Sequence, residues 1–320
     1  MPAPRIFSRR KFLFLLWTCA LFFALSILGL NKSYPTSDKA AEVPPQKFAP
    51  SELRESGKVR LCIWNLKLYL DTYKMTERGR TKAPKSETEK RAILEVLKDI
   101  NPDVLGIEEI GTDKFLKEFL NILREGGLSY PYVAVSDKTD EYPHCAILSK
   151  LEFKSTSILG DDFFDYFGKI SRSPRALILA EFETENTRWF FGSLHLKSRF
   201  GARKRDGNFS KFRTLECEKI AEDLKKILES NYPVIIGGDF NDEPKDRSTT
   251  PLKNAGLSVI ETENKIPTYV WEKKNIPYTF DFFMASKSML KLIESPRIFP
   301  TPKGGSDHLP VYCDLNFSRN

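Results

Sequence analysis

Histidine is nearly missing from this chain: its 320 residues include only His144, His195 and His308. Imidazole chemistry is confined to those positions, so each one is worth inspecting. The five cysteines, Cys19, Cys62, Cys145, Cys217 and Cys313, form no C-x-x-C pair and no zinc-type spacing, which argues against a cysteine-held metal. Most sit in apolar segments, where a free thiol behaves as a small hydrophobe. The alternative is a Cys62–Cys313 bridge between the first and last strands of an exported domain. No internal repeat is visible, which argues against a solenoid. Neither sign of charge dominates: 50 basic and 43 acidic residues leave a net charge of +7. That mild excess fits an anionic substrate or surface, and part of it lies in the first 11 residues.

What is present begins with a membrane-type signal. Arg5, Arg9, Arg10 and Lys11 precede an uncharged apolar run, Phe12 to Leu30, whose 19 residues approach what a hydrocarbon core needs. Basic residues on the near side favour a cytoplasmic N-terminus, with the rest of the chain outside. Two readings compete for residues 1–30: an uncleaved signal anchor, which the lack of a clean small-x-small cleavage site favours, and a cleaved export signal. Ser8-Arg9-Arg10-Lys11-Phe12-Leu13 resembles the twin-arginine signal. Residues 31–57, polar and proline-bearing, read as a linker.

The remainder, 58–317, alternates strands with some helices. Val59–Leu66, Val104–Ile110, Tyr132–Val135, Cys145–Leu148, Ala176–Phe182, Trp189–Leu196, Val234–Gly237, Phe282–Ala285, Arg297–Phe299 and Val311–Leu315 read as strands. A capping box, Ser86-x-x-Glu89, opens a helix that Pro102 ends. Thr112–Arg124 and Phe212–Glu229 are further helices, and the basic stretch 197–213 reads as a surface loop. Strands outnumber helices, which suggests mixed sheets with helices packed outside.

Several strands end in polar side chains that are costly there: Asn65, Glu108 and Glu109, His195, Asp239 and Asn241, Asp281, and Asp307-His308 before Leu309. Strand ends gather at one sheet edge, so these groups are candidates for a single site. Within GGDFND, residues 237–242, alternation sends Asp239 and Asn241 one way and Phe240 the other. Gly237 and Gly238 are expected to let the backbone approach a ligand closely. His144 reads as a strand-edge residue. Trp64, Trp189 and Trp271 read as core or rim.

WNL at 64–66, IEE at 107–109, SLHLKS at 193–198, GGDFND at 237–242 and SDHLPV at 306–311 resemble, in order, the signatures of the endonuclease/exonuclease/phosphatase superfamily. The resemblance covers roughly 58–317 and implies an α/β four-layer sandwich, two mixed β-sheets flanked by helices. It also implies hydrolysis of phosphoesters assisted by a divalent metal: Mg2+, with Mn2+ or Ca2+ as alternatives. By that resemblance Glu108 is the main metal ligand, with Glu109 the close alternative, since strand neighbours point to opposite sides. Asn65 lies beside it, and Asp307 completes a metal position. His308 is a general base or a phosphate-binding imidazolium, oriented by Asp281. Asp239 positions water or the leaving group, Asn241 donates to a phosphoryl oxygen, and His195 is a second acid/base. Arg175 and Lys197 are expected to face phosphate, and the loop cations Arg199, Arg203, Lys204 and Arg205 are candidates to contact a phosphate backbone.

The expected function is a nuclease acting on DNA or RNA, a monomeric catalytic domain held to or exported across the membrane. The alternative is a phosphatase or a sphingomyelinase-like phospholipase acting on lipid or small-molecule phosphoesters. A catalytically dead binding module of the same fold is disfavoured because the site residues are complete.

Overall fold

The computed structural model describes residues 57–76, 79–136, 143–201, 204–300 and 305–319. The apolar run Phe12–Leu30 and residues 31–56 of the linker lie outside them. Among the described residues no helix is long and apolar enough to cross a membrane.

Two six-stranded sheets carry the fold. Their strands are β1 (Lys58–Tyr69), β2 (Val104–Ile110), β3 (Tyr132–Val135), β4 (His144–Ser149), β5 (Ser155–Leu159), β6 (Leu177–Thr184), β7 (Thr187–His195), β8 (Val234–Asp239), β9 (Leu257–Val259), β10 (Asp281–Ser286), β11 (Ile293–Ile298) and β12 (Val311–Asn316). The first sheet runs β11-β12-β1-β2-β4-β3 and the second β9-β10-β8-β7-β6-β5. Each has one parallel pair at its centre, β1 with β2 and β7 with β8, while every other pairing is antiparallel.

Alternation along the strands explains the layers. Leu61 and Ile63 of β1 enter the core between the sheets with Phe191, Ile235, Phe283 and Val311. Cys62, Trp64 and Leu66 face the other way, against Ile93, Leu97, Phe119 and Leu123 of the helices Glu87–Ile100 and Asp113–Glu125. On the far side of the second sheet, Leu177, Phe190, Ile236 and Phe282 pack on Cys217, Ile220 and Leu224 of the helix Ser210–Glu229. Each fully buried side chain of this size contributes about 1.5–3 kcal/mol. The four-layer sandwich expected from the sequence is thus the observed fold. The first helix begins as read: Ser86 Oγ accepts from Glu89 N–H, and the Glu89 carboxylate accepts from Ser86 N–H.

The free-thiol reading of the cysteines holds over its alternative, and two other expectations need correction. Cys62 and Cys313 point to opposite faces, because Cys313 pairs with Leu61; no bridge joins them, and the described cysteines are free and buried. The 197–213 stretch is not simply surface: Asp206, Phe209, Phe212 and Arg213 are buried, and Arg213 donates to the carbonyls of Lys197 and Asn208. The two glycines of GGDFND serve the interior rather than a ligand. A Cβ on Gly237 would meet the Phe283 ring at 2.5 Å, and one on Gly238 would meet the Leu194 carbonyl oxygen at 2.0 Å and Glu108 Oε1 at 2.8 Å. Gly238 also has φ +139, where side chains are strained.

Gly238→Ala is therefore expected to cost at least ~3 kcal/mol of stability. Urea unfolding should show this against Gly207→Ala, whose Cβ would meet nothing within 4 Å. A Gly238→Ala midpoint equal to wild type would contradict the packing described.

Candidate active site

The parallel pairs bring four strand ends to one edge. Across the first sheet Asn65 lies opposite Glu108; across the second, His195 lies opposite Asp239, which lies opposite Asp281. The polar ends listed from the sequence therefore meet, and a cavity of about 470 Å3 is lined by Glu109, His195, Asp239, Asn241, Asp307 and His308 among others. Two larger cavities, about 740 and 710 Å3, contain no histidine, so chemistry rather than volume locates the site.

The order of the two glutamates is the reverse of the sequence expectation. Alternation from Val104 through Gly106 sends Glu108 between the sheets. There it is wholly buried, accepts from Ser193 Oγ at 3.0 Å, and leaves Oε2 without a partner. Burial, with Asp281 and Asp239 nearby, pushes its carboxyl well above the usual range, which favours the neutral form. Simple alternation would then turn Glu109 to the helix side. A bulge intervenes: Glu109 has φ +62, and the pairing slips between Ile107 and Ile110. The slip aims Glu109 into the cavity, where its carboxylate accepts from Leu68 N–H at 2.7 Å and lies 3.4 Å from Asn65 Nδ2. A matching irregularity on β1 places Lys67 and Leu68 at φ +50 and +51.

Asp239 stands at the centre. Its Oδ2 accepts from Asn65 Nδ2 at 3.1 Å and lies 3.4 Å from His195 Nε2 and 3.9 Å from His308 Nε2. Its Oδ1 accepts from Asn241 N–H at 2.8 Å. Burial, together with Asp281, holds its carboxyl above the usual range against the opposing pull of His308. Phe240 turns away and stacks on Phe282, while Asn241 donates to the Leu196 carbonyl.

The two cavity histidines are opposites. Burial, with Arg175 nearby, pushes His195 well below the ordinary value, leaving a neutral ring whose Nδ1 lacks a partner. Burial would lower His308 too, but Asp281 and Asp239 outweigh it and raise His308 to about 10. The pair is close: His308 Nδ1 and Asp281 Oδ2 are 2.8 Å apart. Its loop is fastened to β1, because Trp64 Nε1 donates to the His308 carbonyl and Ser306 Oγ donates to the Asn65 carbonyl.

Other expected residues fall outside the cavity or line it with their charge already engaged. Arg175 donates to the carbonyls of His195 and Leu196, so it braces the strand end instead of facing phosphate. Lys197 Nζ lies over the Phe209 ring, 4.5 Å from its centroid, and its N–H donates to Glu216. Asp307 is at the rim, 3.4 Å from Lys67. Arg199 lines the cavity, yet its guanidinium is engaged by Asp242, Asp246 and the Asn241 carbonyl. His144 opens β4 and is buried. Trp64 and Trp189 are core, and Trp271 is rim. The sequence reading missed Ser193, Leu68 and Tyr269, whose ring sits 4.8 Å from that of His308. The alternation Tyr269-x-Trp271 was the available signal.

A two-sheet sandwich with carboxylates and two unlike histidines at the ends of its central strands defines a hydrolytic class of site. The profile of the Endonuclease/Exonuclease/phosphatase family matches residues 63–308, and the chain belongs to that family, whose members hydrolyse phosphoesters. Solved structures share the fold. A family protein from Bacteroides thetaiotaomicron has TM-score 0.60 and 17% identity, covering 81% of this chain and 98% of that one. The human Nocturnin catalytic domain with bound sulfate has TM-score 0.56 and 19% identity, covering 82% and 95%. A humanized D. rerio TDP2 has TM-score 0.57 and 17% identity, covering 82% and 100%. No curated protein matches the chain.

With only three histidines, proton NMR can follow each one. In metal-free protein His308 is expected to titrate near 10 and His195 to stay neutral through mildly acidic pH. Because the folded value of His308 is raised, its stabilising contribution is complete below the ordinary histidine pKa of about 6.5. That contribution is lost as pH rises through about 10. Asp281→Asn should return the titration toward the ordinary range; an unmoved titration would refute the pairing.

Proposed function

We propose that this chain is a divalent-metal-dependent phosphodiesterase and, within that class, a nuclease. The observation that carries the reading is the convergence of Asn65, Glu109, Asp239, His195 and the Asp281–His308 pair on one cleft. The cleft fits a hard cation. Its donors on Glu109, Asp239 and Asp307 are oxygens, while Asn65 turns its amide nitrogen to Asp239 and its oxygen accepts from Lys67 N–H. Asp239, Asp281 and His308 also place ligand atoms within 4.8 Å of one another, but the short Asp281–His308 bond assigns that carboxylate to the histidine.

Glu109 would hold the ion, with Asp307 beside it, and Asn65 could join only through Oδ1, the oxygen that accepts from Lys67 N–H; Mg2+ suits such a set, as Mn2+ or Ca2+ would. When bound, it would neutralise phosphoryl charge and make water more acidic. His308, protonated and held by Asp281, donates toward the phosphate. Asp239 accepts a proton-bearing group, orienting water or the leaving oxygen, and Asn241 offers its second amide hydrogen to a phosphoryl oxygen. His195, neutral and beside Asp239, is a second acid/base. Arg175 and Lys197 support this arrangement from behind. The apolar Phe12–Leu30 run supports a catalytic domain on the outer side of the cytoplasmic membrane. The same run supports the second reading, a phosphatase or phospholipase acting on lipid headgroups.

Full-length protein with Mg2+ is expected to nick plasmid DNA, and chelator or Asp239→Asn should abolish it. Glu109→Gln should lower the rate by roughly 100-fold or more. Glu108→Gln, whose amide oxygen can still accept from Ser193 Oγ between the sheets, should cost less than about tenfold. Equal losses in the two glutamine variants would overturn the assignment.

A further inference from the structure

Leu68 is costly where it stands. It adopts φ +51, a region strained for a branched side chain, and 42% of its surface is exposed at the cavity mouth. Phe200, on the same cavity, is 77% exposed. A short hairpin, Tyr269–Trp271 paired with Ile276–Tyr278, turns Tyr269, Trp271 and Tyr278 to one side, and all three line the cavity. An apolar and aromatic rim therefore borders the carboxylate cleft, and nothing in the packing of Phe200 or Leu68 requires it.

We infer that this rim is a subsite for an unpaired nucleobase, so that the substrate is single-stranded nucleic acid stacked on Trp271 and Phe200 while its phosphate enters the cleft. The inference rests on the nuclease reading and narrows it. Flat apolar faces beside a phosphate site suit a base on its sugar, and every base offers a π-face. In a duplex those faces are hidden in the stack.

The alternatives fit less well. An aromatic cage for a quaternary ammonium headgroup needs open ring faces. Here Arg199 already sits over Tyr278 and Phe280, at 5.2 and 4.8 Å from their centroids, so two of the rings a cage would need are taken; Lys274, 4.9 Å from the Trp271 centroid, can cover one face of that ring only. Lys67 adds a further cation to the lining. An acyl chain would have to pass Glu109, Asp239 and Asp307, which line the same space.

The test compares full-length wild type, Trp271→Ala and Phe200→Ala with Mg2+ on four substrates. These are a mixed-sequence single strand, the same strand in a duplex, a strand of base-less tetrahydrofuran sugars, and phosphatidylcholine vesicles. Wild type should prefer the single strand. Each variant should raise KM on it by roughly 5- to 100-fold with kcat little changed. Turnover of the base-less strand should be the same in all three proteins, which also reports that the variants are folded. If the variants handle the single strand as wild type does, or wild type cuts the base-less strand equally well, the subsite is refuted while the nuclease reading stands. Hydrolysis of vesicles with no strand cut at all would remove the nuclease reading, and the subsite with it.

Discussion

Crowding of negative charge is the constraint on which the rest of this site depends. Glu108, Glu109, Asp239, Asp281 and Asp307 approach one cleft, and three of them, Glu108, Asp239 and Asp281, are almost wholly buried. Like charges at low dielectric cannot all ionise. The structure meets this in different ways at different residues. Glu108 sits where burial favours its neutral form and binds Ser193. Asp281 faces the His308 imidazolium. Asp307 lies near Lys67 at the solvent edge. Glu109 and Asp239 are left with an amide, Asn65, between them, an arrangement that gains from a cation.

The sheets create that crowding. A parallel pair sends both of its strands' carboxyl ends to the same edge, and stacking two such pairs face to face brings four ends together. Paired irregularities at the ends of β1 and β2 then turn the last residues out of register, so that Glu109 and Leu68 look into the cavity. Positive φ at Lys67, Leu68 and Glu109 is the cost, of order 1–3 kcal/mol each. Gly238 lets the second sheet approach closely enough for Glu108 to lie against it.

Much of this was legible in the sequence. Strands read from apolar runs, such as Val104–Ile110 and Tyr132–Val135, match the observed limits, and the capping box at Ser86 marks its helix. The polar strand ends pointed to one site because buried strands seldom end that way. The pieces that escaped have physical reasons. Which glutamate faces the cleft turns on a bulge, and alternation carries no information about a glutamate at φ +62. The hairpins Thr72–Thr76 with Gly79–Ala83 and Tyr269–Trp271 with Ile276–Tyr278, and the edge strand β5, are short and mostly solvated, so they show no core-facing period. Arg213 and Glu216 carry a charge that gives no sequence signal of burial; they are buried because they satisfy the backbone of residues 197 and 208.

A bulge makes Glu109, not Glu108, the carboxylate that faces the cleft. Diffraction from crystals soaked in Mn2+, recorded for its anomalous signal, tests it directly. A peak is expected within bonding distance of Glu109, on the Asp239 side of the cleft. A peak bonded to Glu108 between the sheets, or none in the cleft at saturating metal, would contradict it.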